Sequence, residues 1–557
     1  MTRAIRAVLS VTILLISVPG TAPAQARSDS LAAQVDSLFA DLTPHTPGAA
    51  VLVVRDGKVL YQQGYGSANL EHGVPITTST VFDIASVSKQ FAGMAIAMLT
   101  EQGVISLDDD VRTHIPELPD FGHTITVRHL VHHTSGIRDW PGTLAVAGWR
   151  MDDVISFDQI LTMVWNQRDL NFEPGAEHLY SNTGYNLLAE LVERVTGQTF
   201  REWTDANIFQ PLGMTSTHFH DDHTEVVANR AYGYARAEDR FRAVPNGLTA
   251  LGSSSLFTTV DDLAKWVINL DDGRVGGRAV IERMYHRGTL NDGSRIAYAF
   301  GLGIGEYRGL KRVSHGGSWA AFRTVLMYFP EQHFGVVVLC NFSPVNPTRR
   351  AYQIADIYLA DALGPRDPTT DPHEAEPVRV PTDILDDYVG VYRLGPAWYV
   401  TITRDGDSLM TQATAEDSFP MTARSDSTFW VQDYGAAIVF RRDSTGQVTH
   451  FSYRGMSAPR VEAVQTAGPE QFPEFEGEYY SDELGTSYTI AIEDGRLVAR
   501  HRRHGTIELT PAFQGEFRGS EWFLRAAEFY RDDAGRVAGM LVTNGRSRNL
   551  RFVRGGR

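Results

Sequence analysis

The chain has 557 residues, 43% of them hydrophobic and 21% charged, which is room for roughly two to four domains of an ordinary soluble kind. A formal net charge of −16 argues against a nucleic-acid partner, because phosphate binding needs clustered lysine and arginine. The single cysteine, Cys340, leaves no internal disulfide, and after the amino-terminal apolar run no stretch has the length of a membrane-spanning helix.

In chain order, Arg3 and Arg6, the apolar run Ala7 to Val18 and the small-residue site Ala24-Gln25-Ala26 read as a secretory signal over 1–26. The mature chain then starts near Arg27, in the periplasm or outside the cell. Ala49 to Val54 predicts an apolar strand, turned by Arg55 to Lys58 and answered by Val59 to Gln62. Ser86 to Glu101 has helical spacing, with Phe91, Met94, Ala95 and Leu99 on one face and Gly103 as the stop. Asp108-Asp109-Asp110 lacks the spaced ligands of a calcium loop and reads as a helix start. Asn186 to Val195 predicts another helix. Thr324 to Phe329 and Phe334 to Asn341 predict a hairpin that buries Cys340, and Ala351 to Leu363 a last helix before Gly364-Pro365. Strands at both ends with helices between them predict an α/β (α+β) domain over 27–363: an antiparallel sheet flanked by helices, with a mostly helical subdomain between the sheet-forming ends.

Residues 364–382 are rich in proline and read as a linker, so a fragment ending near Gly364 is expected to fold by itself. A degenerate repeat follows. Tyr388-Val389-Gly390-Val391-Tyr392 echoes Phe475-Glu476-Gly477-Glu478-Tyr479, and Phe440 to Val448 echoes Phe529 to Val537. Both copies alternate apolar and polar residues in short runs, which predicts two small all-β barrels or sandwiches, 383–467 and 468–557.

Three segments carry chemistry. Ser86-Val87-Ser88-Lys89 opens a helix, so Lys89 lies over the same helical face as the Ser86 hydroxyl. A serine hydroxyl attacks only when a base takes its proton, and lysine serves as that base only if burial or charge lowers its pKa. Tyr180-Ser181-Asn182 sets a phenol and an amide two residues apart, so both side chains point one way in an extended loop; alone, the segment reads equally as a turn. His315-Gly316-Gly317-Ser318 precedes the hairpin, where glycines let a substrate approach a strand edge whose N–H groups bind an oxyanion; alone, it is a glycine-rich turn.

Taken together and in this order, the three segments resemble those of the serine β-lactamase and penicillin-binding-protein superfamily, in its class C-like branch of D-aminopeptidases, D-alanyl-D-alanine carboxypeptidases and esterases. Val127 to Gly136, Phe172 to Gly175, Pro211 to Met214 and Gly252 to Ala264 carry the same resemblance over roughly 35–363. The two repeats resemble, more weakly, the lipocalin-like barrels appended to some D-aminopeptidases. The resemblance implies that Ser86 is the nucleophile and Lys89 its base partner. Tyr180 is then a base or leaving-group acid, and Asn182 orients Lys89 and the substrate amide. The backbone N–H groups of Ser86 and Ser318 form an oxyanion hole, and His315, Gly316 and Gly317 line the substrate strand.

Most members carry lysine at the place of His315 and a hydroxyl residue at that of Gly316, and that lysine helps hold a substrate carboxylate. The departure points to a peptidase or amidase on D-amino-acid peptides, then an esterase, with β-lactamase activity third. The expected partner is a small peptide, amide or ester, with no cofactor. A catalytically idle sensor of cell-wall fragments or penicillin is the rival from another class, and an intact Ser86, Lys89, Tyr180 and Asn182 argue against it. His218-Phe219-His220-Asp221-Asp222-His223 matches the His-x-His-x-Asp-His zinc signature, but no metallo-hydrolase sequence surrounds it, so no metal is expected in catalysis. His132-His133 reads as a structural turn at the floor of the site.

Overall fold

Six apolar residues in a row, Ala49 to Val54, are buried on both faces of their strand, so both faces need a covering layer. A computed structural model describes residues 22–365, 377–414, 416–431, 436–453, 456–462 and 466–556; the body of the expected signal, 1–21, and the middle of the expected linker, 366–376, lie outside them. In it Ala49–Arg55 joins a six-stranded antiparallel sheet, in the order Gly303–Tyr307, Leu310–Trp319, Phe322–Phe329, Phe334–Cys340, Ala49–Arg55, Lys58–Tyr65. Side-chain alternation divides the strands between two cores. Val51, Val53, Val336, Val338 and Cys340 face the helices Ala22–Leu38 and Pro347–Tyr358, while Ala50, Leu52, Val337 and Leu339 face the larger helical body. Burial raises the Cys340 thiol to about 12, so the residue is an inert part of the sheet.

Three helix boundaries differ from their sequence expectation, two of them for a capping reason. Ser86 sits in a 3₁₀ turn, Ala85–Ser88, that feeds the α-helix Lys89–Glu101. The helix carrying Asn186 begins earlier, at Asn182, because the Ser181 hydroxyl accepts from the Gly184 N–H at 3.3 Å. The last helix of the sheet domain is Pro347–Tyr358 rather than Ala351 to Leu363. Asn346 caps it by accepting from Arg349 N at 3.0 Å, and Pro347 occupies the first turn, where no N–H is needed.

The repeat forms two closed eight-stranded antiparallel barrels, with strands from Gly390 to Val461 and from Gly477 to Arg554. The sequence echo has a local cause. Tyr392 donates its hydroxyl proton to Tyr388 O at 2.9 Å, and Tyr479 does the same to Phe475 O at 2.7 Å, pinning the entry of each barrel.

The second barrel is docked on the helical body. Ala145 and Val146, at the end of the helix Trp140–Val146, belong to its apolar core. Tyr488 donates to Val146 O at 3.0 Å, and His504 Nε2 meets Ala145 O at 2.7 Å. Arg138 is fully buried and pairs with Glu483 of the barrel.

Candidate active site

The turn holding Ser86 is tied from four directions. Ala85 has a φ of 48°, rare for a residue with a side chain, and its N–H donates to Asp83 Oδ1 at 2.8 Å. The Ser88 hydroxyl donates to Ala85 O at 2.5 Å and accepts from Leu256 N at 3.2 Å. Thr324 Oγ1, on the substrate strand's neighbour, donates to Ile84 O at 2.8 Å. That last contact brings the strand Leu310–Trp319 against the turn so closely that a Cβ on Gly317 would stand 2.2 Å from Ile84 O. Gly317 is therefore the residue that lets nucleophile turn and strand edge meet, whereas a Cβ on Gly316 would meet only Thr324 O, at 3.7 Å.

Lys89 is wholly buried, and its Nζ lies 3.2 Å from Ser86 Oγ, 2.7 Å from Asn182 Oδ1 and 2.7 Å from Ser253 O. Burial pulls its pKa far below the ordinary lysine value; the Asp139 carboxylate opposes that pull and Arg546 adds to it. A neutral amine has two N–H donors and one lone pair. The two carbonyl oxygens can only accept, so they take both donors, and the lone pair is left for the Ser86 hydroxyl. The orientation of Asn182 is fixed by the same logic. Asp139 accepts from Asn182 N at 2.7 Å and from Asn182 Nδ2 at 3.1 Å, which turns Oδ1 toward Lys89.

Tyr180 brings its ring to 4.8 Å from Lys89 Nζ. Its phenol is buried, and desolvation raises its pKa, with the Ser86 hydroxyl pulling it partly back. Behind it, His133 has a φ of 57° and is packed among Tyr180, Tyr185 and Tyr298, its Nδ1 accepting from Ser181 N at 3.1 Å. His315 is also held inside the protein. Its Nδ1 lies 2.7 Å from Gly316 O, a pure acceptor, so Nδ1 carries the proton and Nε2 accepts from the Tyr298 hydroxyl at 2.9 Å. With both nitrogens engaged and burial driving its pKa to about 3, His315 is neutral.

Ser86, Tyr180, Asn182, His315, Gly316, Gly317 and Ser318 thus converge on one cavity of about 700 Å³. From His315 onward the outer edge of the substrate strand has no strand beside it among the described residues, since Gly303–Tyr307 pairs only as far as Ser314. Two cations also line the cavity, Arg323 and Arg546. Arg546 comes from the loop of the second barrel after Val537–Thr543. Its guanidinium lies 4.7 Å from the centre of the Tyr180 ring and 3.3 Å from Asp139 Oδ2.

The β-lactamase family model matches residues 35–359, more than half of the chain and all of this cavity except Arg546. The chain belongs to the β-lactamase family. It is a serine hydrolase. A domain of unknown function, DUF3471, matches residues 374–465, over the first barrel. Penicillin-binding protein 4* of Bacillus subtilis (strain 168) is 26% identical over 440 residues, 76% of this chain and 96% of that protein. The D-aminopeptidase of Brucella anthropi is 24% identical over 531 residues, 91% of this chain and 95% of its own. The octameric penicillin-binding protein homologue from Pyrococcus abyssi shares the fold, with a TM-score of 0.55 at 23% identity over 86% of this chain and 98% of that one.

In this β-lactamase-family protein several groups of the cluster have roles that the three motif segments do not show. Asp139, Ser253 and Tyr298 reach the cluster from separate segments, and Arg546 from a different domain. His132 lies behind the cavity floor, its ring against Phe300. His218 and His220 are outside the cavity lining altogether. Asp110 starts a 3₁₀ turn, Val111–Thr113, accepting from Arg112 N at 3.0 Å.

Proposed function

We propose that this protein hydrolyses amide bonds of short D-amino-acid peptides through an acyl-enzyme on Ser86. The observation that carries the reading is the buried Lys89 amine, its pKa pulled far down, 2.7 Å from two oxygens that can only accept, Asn182 Oδ1 and Ser253 O, and 3.2 Å from Ser86 Oγ. Lys89 takes the hydroxyl proton as Oγ bonds to the substrate carbonyl carbon. The N–H groups of Ser86 and Ser318 hold the resulting oxyanion. Tyr180, kept protonated by burial, gives a proton to the leaving nitrogen and regains one from Lys89. Water then repeats the sequence and frees the acid. The D-aminopeptidase relative supports the peptide class. The signal at 1–26 supports action in the periplasm or outside the cell.

Arg323 and Arg546 favour a second feature, substrates that bear a carboxylate. They add two cations to the cavity that the neutral His315 lines, Arg546 already sharing the Asp139 carboxylate with Asn182. Esters and β-lactams remain the rival substrates, and an idle sensor the rival class.

The test is a parallel assay on D- and L-aminoacyl p-nitroanilides, D-dipeptides, p-nitrophenyl esters and nitrocefin. Ser86→Ala is expected to abolish every turnover. Lys89→Ala and Tyr180→Phe are each expected to lower kcat/KM on the order of a hundredfold or more. The rate should fall as acid protonates Lys89, with a midpoint below the ordinary lysine value because burial depresses the amine's pKa. Full activity in Ser86→Ala sinks the mechanism. Nitrocefin or an ester outrunning every D-peptide sinks the substrate class.

A further inference from the structure

The cluster left unclaimed by acyl transfer is the histidine pair of the zinc-like signature. The short strand His218–Phe219 pairs with Leu256–Thr258, whose other neighbour, Phe82–Asp83, leads into the Ser86 turn. Phe219 points into the core, so His218 and His220, one residue to either side, share the opposite face. His220 is buried and stacked on Phe257, ring centroids 4.3 Å apart and planes 11° from parallel, which fixes the direction of its Nδ1.

That nitrogen lies 3.3 Å from His218 Nε2. Glu225, returning from the loop that follows, puts Oε2 at 3.7 Å from His220 Nδ1 and 3.9 Å from His218 Nε2. Ligands bound at about 2.0–2.1 Å around a tetrahedral ion stand about 3.3–3.5 Å from one another. The three ligand atoms therefore need to close by only a few tenths of an ångström. Two imidazole nitrogens and one carboxylate suit a borderline transition metal, zinc before magnesium or calcium. His218 and Glu225 are partly exposed, so a fourth position can be filled by water.

Arg201 is the one apparent obstacle, because its Nη1 donates to Glu225 Oε2 at 2.7 Å. The same Nη1 also donates to Asp221 Oδ1 at 2.6 Å, and Nη2 holds the other carboxylate oxygen, Oε1, at 2.9 Å. A metal on Oε2 displaces one of these three bonds. Nη1 keeps Asp221, and Nη2 becomes an outer partner that orients the ligating carboxylate. The charge of Arg201, with Arg230 over the far side of Phe257 at 4.6 Å, sets the expected affinity in the micromolar rather than the nanomolar range.

We propose that His218, His220 and Glu225 form a zinc site that ties the 220–225 loop to the edge of the small sheet behind Ser86 and takes no part in acyl transfer. None of the three residues lines the Ser86 cavity.

The experiment uses the full chain, stripped with EDTA and dialysed, and titrates zinc by calorimetry and against a chromophoric chelator. One equivalent is expected to bind and to raise the melting temperature, and cobalt(II) is expected to give the visible bands of a four-coordinate site. His218→Ala and Glu225→Gln should each weaken zinc at least about tenfold and lose the cobalt bands. Both side chains are partly exposed, so these variants stand even if His220→Ala fails to fold. Hydrolysis should be equal in the stripped and loaded protein. The proposal is overturned by the absence of binding, or by unchanged affinity in His218→Ala and Glu225→Gln, which would place zinc on others of the 18 histidines. Loss of hydrolysis on stripping, restored by zinc, would overturn its separation from catalysis.

Discussion

The two barrels have the same strand order and the same entry tyrosine, yet among the described residues only one of them touches the chemistry. In the first, the strands Val448–Tyr453 and Met456–Val461 are joined by residues 454 and 455 alone. In the second, Val537–Thr543 and Leu550–Arg554 are joined by six residues, 544–549, and that longer loop reaches the catalytic cavity. It is fastened along its length. Arg546 O accepts from Asp139 N at 3.2 Å and Asn171 Nδ2 at 2.9 Å, Ser547 Oγ donates to Asp139 O at 3.0 Å, and Arg548 Nη2 meets Glu177 at 3.0 Å. The first barrel meets the second instead, through Glu516, which accepts from Arg393 at 3.0 Å, Ala397 N at 2.9 Å and Tyr399 Oη at 3.3 Å. A repeated fold thus serves two jobs, and the longer hairpin loop of the second copy is what carries Arg546 to the cavity.

The sharpest way to break this asymmetry is to remove residues 468–557. That uncovers Ala145 and Val146 and strands the buried Arg138, so the remaining chain is expected to melt on the order of 10 °C below the full protein. A fragment ending near Gly364 is expected to suffer likewise, which reverses what the linker composition alone suggests. Equal melting temperatures would mean the second barrel is merely appended.

Single residues sharpen the point. Glu483→Ala leaves a fully buried guanidinium unpaired and is expected to cost about 3–5 kcal/mol in denaturant unfolding. Glu516→Ala, on the face between the barrels, frees the partly exposed Arg393 and is expected to cost about 1–3 kcal/mol. The reverse order would make the first barrel the tighter partner.

For specificity, Arg546→Ala should lower kcat/KM for carboxylate-bearing substrates relative to uncharged esters by about tenfold, the value of one charge-assisted contact. Arg404→Ala, on the first barrel, should leave that ratio alone. A matched loss for both substrate types would show that Arg546 supports Tyr180 rather than the substrate.

A further expected effect is on acid stability. His315 has a folded pKa of about 3, and His132 and the second barrel's His501 of about 4, all lowered chiefly by burial. Each binds a proton more readily unfolded than folded. Their contribution is therefore complete above the ordinary histidine value near 6.5 and is lost as pH falls toward 4 and 3, by up to about 1.4 kcal/mol per unit for the fully buried His315. The first barrel has no buried histidine among the described residues. Unfolding followed between pH 6.5 and 4 should weaken the catalytic domain and second barrel before the first; loss in the opposite order would contradict the burial of these rings.

Much of the site is legible in the sequence because it is local. Ser86 and Lys89 are one helical turn apart, Tyr180 and Asn182 share a helix entry, and His315 to Ser318 lie along one strand. What is illegible arrives by tertiary folding. Ser253 gives Lys89 only a backbone oxygen, which no side-chain type betrays, and Asp139 looks like any residue ahead of a helix. Arg546 did leave a trace, since aligning the two repeats exposes a loop, Asn544 to Asn549, four residues longer than its counterpart, but a longer loop states neither its direction nor its neighbour. The sheet and its alternating burial follow from Ala49 to Val54 and Val336 to Cys340, whereas helix ends at Asn182 and Pro347 turn on caps that apolar spacing does not register.

The fastening of the second barrel also sets a timetable. Arg138 Nε donates to Arg548 O at 3.1 Å across 410 positions of sequence. A ribosome has therefore synthesised Ser86, Lys89, Tyr180 and His315 long before the residue that closes their cavity exists. Contacts of such separation form late, after the segments they join have each collapsed. The nucleophile is made first, and the wall beside it is made some 460 residues later.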